Sequence, residues 1–140
     1  MLLAAFHSDP NATWLVIACD FPLLTAEPLE LLRESYRPPV TCFLNLEGFC
    51  EPLLGIWSPE ALNRLEENVK RGRSGPKSVV RDLGGTQIKA HASFDRSIWN
   101  VNTKTEWDSV LAILEDLSQE NPAQYGKEEA LQISSSSEVG

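Results

Sequence analysis

One short run constrains the fold of this chain more than any other: Thr13-Trp14-Leu15-Val16-Ile17-Ala18-Cys19, followed at once by Asp20. Seven residues without a charge or a helical repeat of polar positions suit a strand buried on both faces, as in a parallel sheet. Phe21-Pro22 then interrupts the ladder, because proline has no N–H to donate. Such a strand must be covered by helices, and the sequence around it supplies them.

Thr25 stands where a helix would be capped, with Leu29, Leu32 and Tyr36 on one face and Pro38-Pro39 closing it. Val40 to Leu46 reads as a second strand and Leu53 to Trp57 as a third. Ser58-Pro59 is a helix start, with serine as cap and proline in the first position, where its missing N–H costs nothing. Leu62, Leu65 and Val69 form the stripe of that helix, and Gly72 stops it. Lys77 to Leu83 reads as a short helix and Thr86 to Ala90 as a short strand. Thr103 and Glu106 make a T-x-x-E capping box ahead of Trp107, Val110, Leu111, Leu114 and Leu117 at helical spacing. Strands alternating with helices predict an α/β layered domain with a largely parallel sheet.

A length of 140 residues suits one domain with a core of its own. Hydrophobic residues at 42% and charged residues at 23% exclude disorder throughout. The formal charge of −8 argues against a surface that coats nucleic acid, while leaving a single nucleotide ligand open. No apolar run approaches the roughly 20 residues that span a bilayer. The apolar start, Met1 to Phe6, lacks a basic flank and meets His7, Ser8 and Asp9 at once, so it makes a poor signal peptide. Cys19, Cys42 and Cys50 are odd in number and contain no C-x-x-C. They read as reduced, buried, small apolar residues of a cytoplasmic protein, with a disulfide between two of them the less favoured alternative. From Ser118 onward, Glu120, Glu128, Glu129 and Glu138 face Lys127 alone, and four serines run from Ser134 to Ser137. This reads as a disordered acidic, serine-rich tail over residues 118–140, leaving residues 1–117 as the ordered domain.

In an open α/β sheet, ligands bind beyond the carboxyl ends of the strands. Asp20 is at such a place. It fits magnesium, which is usually held by one or two carboxylates together with substrate phosphates; it also fits a turn-capping aspartate before Phe21-Pro22. Asn100-Val101-Asn102-Thr103 puts two alternating amides on one side of an extended segment, suited to completing a magnesium shell or holding a ribose. The other reading of these residues is a helix-leading turn. Glu51-Pro52 puts a carboxylate at a strand mouth, ready for a hydroxyl or amine, or simply facing water. Arg73, Ser74, Lys77 and Arg81 form the one basic cluster, from which Lys77 could reach a phosphate; a solvated helix face is the alternative. His7 and His91 have no partner at ligand or nucleophile spacing.

Three of these pieces, in this order, resemble the MobA-like NTP transferases, the molybdenum cofactor guanylyltransferase family. They are Thr13 to Leu24 with its A-C-D-x-P core, Glu51-Pro52-Leu53-Leu54-Gly55-Ile56-Trp57, and Asn100-Val101-Asn102-Thr103. The resemblance covers roughly Leu2 to Leu117. It implies a Rossmann-like nucleotidyltransferase fold that moves a nucleoside monophosphate from GTP or CTP to a phosphorylated acceptor such as molybdopterin, with magnesium. It implies Asp20 as metal ligand, Asn100 and Asn102 as late active-site asparagines with Asn102 also near the metal, and Glu51 and Pro52 lining the acceptor side.

The family's glycine-rich G-G-x-S-x-R-M-G loop, whose amides and cations hold a triphosphate, does not occur in these 140 residues. Met1 to Ala5 aligns instead with a later helix of the family. The expectation is therefore the second portion of such a domain, incomplete at the N-terminus and inactive alone. The alternative is a non-catalytic α/β remnant or binding module.

Overall fold

The computed structural model describes residues 2–73 and 75–121. The described residues fall into two compact units, one up to Asn100 and one from Val101 onward. The first unit runs α1 (Leu2–Ser8), β1 (Trp14–Ile17), α2 (Ala26–Ser35), β2 (Val40–Leu44), β3 (Cys50–Trp57), α3 (Pro59–Lys70), α4 (Pro76–Asp82), β4 (Thr86–Lys89) and a 3-10 turn (Ala92–Phe94). The helix that the family resemblance implied at the start of the chain is α1.

The four strands form one sheet in the order β1-β3-β2-β4. β2 and β4 are parallel, whereas β3 runs antiparallel to both of its neighbours. The sheet is thus mixed, not largely parallel. The reason is local. Only residues 45–49 separate β2 from β3, and a parallel crossover needs a dozen residues or more. Asn45 makes the turn: its Oδ1 accepts from the amides of Glu47 (3.0 Å) and Phe49 (2.9 Å), and Gly48 supplies φ +83°.

Two apolar clusters sandwich the sheet. On one face Val16, Val40, Cys42 and Trp57 meet Leu2 of α1, Ala61, Leu62 and Leu65 of α3, and Val79 and Val80 of α4. On the other, Phe43, Leu54 and Ile56 meet Leu32 of α2, Phe21, Phe94 and Ile98. Ser58 caps α3 as its sequence indicates, with Oγ accepting from the Ala61 amide at 3.3 Å. The inner stripe of α3 runs through Ala61, Leu62, Leu65 and Asn68, so Val69 is turned outward instead of completing it.

β1 departs from its sequence reading. It is an edge strand of the described sheet, and Leu15 and Ile17 are 49% and 38% exposed, so the run is not buried on both faces. A groove of about 490 Å³ lies over Leu15, between Thr13, Ile56 and the α2 residues Ala26, Leu29, Glu30 and Arg33. Of the three cysteines only Cys42 is buried; Cys50 is half-buried and Cys19 exposed.

In the second unit, α5 (Lys104–Glu120) begins with the complete capping box. Thr103 Oγ1 accepts from the Glu106 amide at 3.2 Å, and Glu106 Oε2 accepts from the amides of Asn102 (2.8 Å) and Thr103 (2.9 Å). Val110 is buried, but Trp107 and Leu111 of its expected stripe are exposed. The helix includes Ser118 to Glu120, and the rest of the predicted tail, residues 122–140, lies outside the described residues. No helix among the described residues is long and apolar enough to cross a membrane.

Candidate active site

The site grows out of a bulge in β3. Cys42 faces Gly55 across the β2–β3 ladder, yet the next residue, Phe43, faces Glu51. Pro52, Leu53 and Leu54 are therefore extra on the β3 side. Pro52, which has no N–H, falls where no ladder bond is required. Its carbonyl accepts from the buried Trp57 indole Nε1–H at 2.8 Å, which fixes the bulge from within. At the return to regular pairing only glycine fits: a Cβ on Gly55 would lie 2.7 Å from the Thr41 carbonyl oxygen.

The other side of β3 keeps its register with β1. Ile17 faces Leu54, and the Ala18 amide donates to the Leu53 carbonyl at 2.8 Å. Asp20 lies two residues beyond Ala18, and Glu51 two residues before Leu53 on the antiparallel neighbour. The pairing thus carries both carboxylates to one end of the sheet. Asp20 is half-buried, and among the described residues its carboxylate makes no hydrogen bond or ion pair. Glu51 is half-buried and oriented: Asn45 Nδ2 donates to its Oε1 at 3.1 Å.

Lys77 stands in the first turn of α4 with its side chain exposed. It is close enough to Cys50 that its charge favours the Cys50 thiolate. Arg81 is separate from this group and pairs with Asp82 at 3.2 Å. Asn100 follows a segment that packs on the neighbours of Asp20. Phe94 and Ile98 belong to the apolar cluster that holds Ala18 and Phe21, and Ser97 Oγ is 3.0 Å from Thr25 Oγ1. Asn102 belongs to the second unit, where its amide serves the α5 capping box. The first unit therefore carries Asp20, Glu51 and Pro52 to one end of its sheet, with Lys77 near Cys50.

Asn45 was not singled out from the sequence. Its signal is an asparagine three residues before a glycine at the end of an apolar run, the mark of a side chain that folds back on its own turn. The Cys42–Cys50 pair was also missed. Their sulfurs lie 3.3 Å apart across the β2–β3 hairpin.

A mixed sheet with helices on both faces leaves the strand ends that carry these carboxylates open to a ligand. Molybdopterin-guanine dinucleotide biosynthesis protein A from Archaeoglobus fulgidus superposes with a TM-score of 0.69 at 22% identity, over 82% of this chain and 61% of that one. A protein of solved structure from Aquifex aeolicus gives 0.66 at 23% identity, over 74% and 55%. The family of MobA-like NTP transferase domains matches residues 1–90, and the chain belongs to it. Among curated relatives, a "Molybdenum cofactor biosynthesis bifunctional protein" from Synechocystis sp. is 30% identical over 112 residues, 78% of this chain and 32% of its own length. A "Probable molybdenum cofactor guanylyltransferase" from Aquifex aeolicus is 26% identical over 98 residues, 70% and 48% respectively. The chain thus spans between a third and a half of the length of these relatives.

Proposed function

We propose that this chain contributes the acceptor side and a metal-facing carboxylate to a nucleotidyltransferase that joins a nucleoside monophosphate, from GTP or CTP, to a phosphorylated acceptor of the molybdopterin kind. The observation that carries the reading is Asp20: a half-buried carboxylate just past β1, unpaired among the described residues, at the same sheet end as the oriented Glu51. A carboxylate in that state is stabilised by a cation or by water. The family and its molybdenum-cofactor relatives supply the reaction class.

The donor set suits magnesium in one particular way. Among the described residues no group of three or more His, Cys, Asp or Glu side chains forms a metal cage. Carboxylate and amide oxygens are nevertheless hard donors, and magnesium commonly takes one or two protein carboxylates and completes its shell with phosphate and water. Asp20 would hold it. When bound, magnesium would spread the charge of the phosphoryl oxygens.

The chain's own groups do the rest by position. Glu51, turned by Asn45, accepts a hydrogen bond from an acceptor hydroxyl or amine. Lys77 offsets the charge of an acceptor phosphate. The Pro52 bulge, fixed by Trp57, sets the distance between the β1 and β2 sides of the site. In-line transfer under such control needs alignment and charge neutralisation, with no covalent intermediate.

Paramagnetic broadening tests the assignment. Manganese(II), standing in for magnesium, is titrated with GTP into isotope-labelled protein. The amides of residues 18–21 and 51 are expected to broaden first, and Asp20→Asn to abolish that pattern. Broadening centred elsewhere in the chain instead would overturn it.

A further inference from the structure

We propose that Cys42 and Cys50 form a redox-modification site, a dithiol that closes to an intramolecular disulfide by exchange with a small disulfide of the glutathione class. This inference stands apart from the proposed transferase function, because it rests on a different pair of residues.

The geometry comes from the hairpin and its bulge. Cys50 faces Leu44 in the β2–β3 register, so Cys42 is its diagonal neighbour on the same face. Their sulfurs are 3.3 Å apart and both thiols are free. A disulfide bond is about 2.05 Å long, so modest side-chain rotation at the two positions brings the sulfurs to bonding distance.

The two cysteines differ in the way such a reaction needs. Cys50 is half-buried and reachable, while Cys42 has no exposed surface. The hydrogen bond with Cys42, and then the Lys77 ammonium, hold the Cys50 thiol below its ordinary range, against burial and the Glu51 charge. The same hydrogen bond, then burial, keep Cys42 protonated. Cys50 is the attacking thiol and Cys42 the resolving one.

The chemistry balances as two exchanges. The Cys50 thiolate attacks one sulfur of glutathione disulfide; that S–S bond breaks, and one glutathione leaves and takes a proton. Cys42 then gives up its proton, its sulfur attacks the Cys50 sulfur of the mixed disulfide, and the second glutathione leaves. Two protein thiols are oxidised and one glutathione disulfide is reduced. The product ties the start of β3, next to Glu51, to β2.

The test uses the folded chain carrying Cys19→Ser, which removes the exposed third thiol. It is incubated with oxidised glutathione, quenched with iodoacetamide and analysed by intact mass and peptide mapping. The expected result is the loss of two hydrogens in mass and of alkylation at both Cys42 and Cys50, reversed by dithiothreitol. Adding Cys42→Ser should arrest the reaction at one glutathione on Cys50. Adding Cys50→Ser should lower modification of Cys42 by about tenfold or more. The proposal is overturned if both thiols of the Cys19→Ser chain stay alkylatable, a result that depends on no core variant folding. It is equally overturned if Cys42 reacts as fast without Cys50.

Discussion

Replacing Trp57 with Phe should show how strongly the β3 bulge depends on one indole. The Trp57 side chain is fully buried, and its Nε1–H is donated to the Pro52 carbonyl at 2.8 Å. Phenylalanine cannot donate, so a buried carbonyl loses its partner at a cost of about 1–3 kcal/mol. The smaller ring leaves unfilled space in the α3–α4 side of the core and adds about 1 kcal/mol. The sum, about 2–4 kcal/mol, is a large share of the 5–15 kcal/mol that usually holds a domain together. Trp14→Phe is the matched control. That indole is half-buried, and its N–H reaches the Asp9 carbonyl at 3.4 Å in an exposed position, so less than about 1 kcal/mol is at stake. Urea unfolding followed by far-ultraviolet circular dichroism avoids the lost fluorophore. With a slope of about 2 kcal/mol per molar urea, the Trp57→Phe midpoint should fall by roughly 1–2 M. Equal midpoints for the two variants would refute the reasoning.

Two further outcomes are expected. Leu15→Lys with Ile17→Lys should reduce concentration-dependent light scattering without lowering the melting temperature, because both side chains are exposed on an edge strand that offers unpaired backbone groups; scattering unchanged by the substitutions would contradict the edge as the contact. Glu106 is held below the ordinary glutamate range by the amides of Asn102 and Thr103, so its contribution to the start of α5 is complete above that range and is lost as pH falls through the lowered value. Amide exchange at Asn102 and Thr103, corrected for intrinsic rate, should accelerate across that window, and a flat profile would mean that the carboxylate does not cap.

What was legible in the sequence was what neighbours in the chain decide. Ser58-Pro59 started α3, Thr103 and Glu106 capped α5, and the apolar run before Asp20 became β1, because caps and runs act within a few residues. What pairing decides was not legible. The apolar run Leu53 to Trp57 reads as the strand with Glu51-Pro52 at its mouth; the structure begins β3 at Cys50 and puts Pro52 in a bulge that asks for no donor. The apolar run before Asp20, which predicts a doubly covered strand, lies at an edge, since periodicity does not encode which strand lies beside which. The site divides in the same way. Asp20 was visible because a charge ends an apolar run. Asn45 and the Cys42–Cys50 pair come together only through the hairpin.

The most direct test of the account is turnover dependent on Asp20. The chain is combined with a glycine-rich triphosphate-binding segment from a MobA-like relative, and pyrophosphate release is followed with GTP or CTP, magnesium and a molybdopterin-type acceptor. The account predicts no release by the 140-residue chain alone, release by the combination, and a drop of about 100-fold or more for Asp20→Asn, the scale on which one preorganised charge contributes. An Asp20→Asn combination that turns over at the unsubstituted rate would contradict it and leave Asp20 as a turn residue.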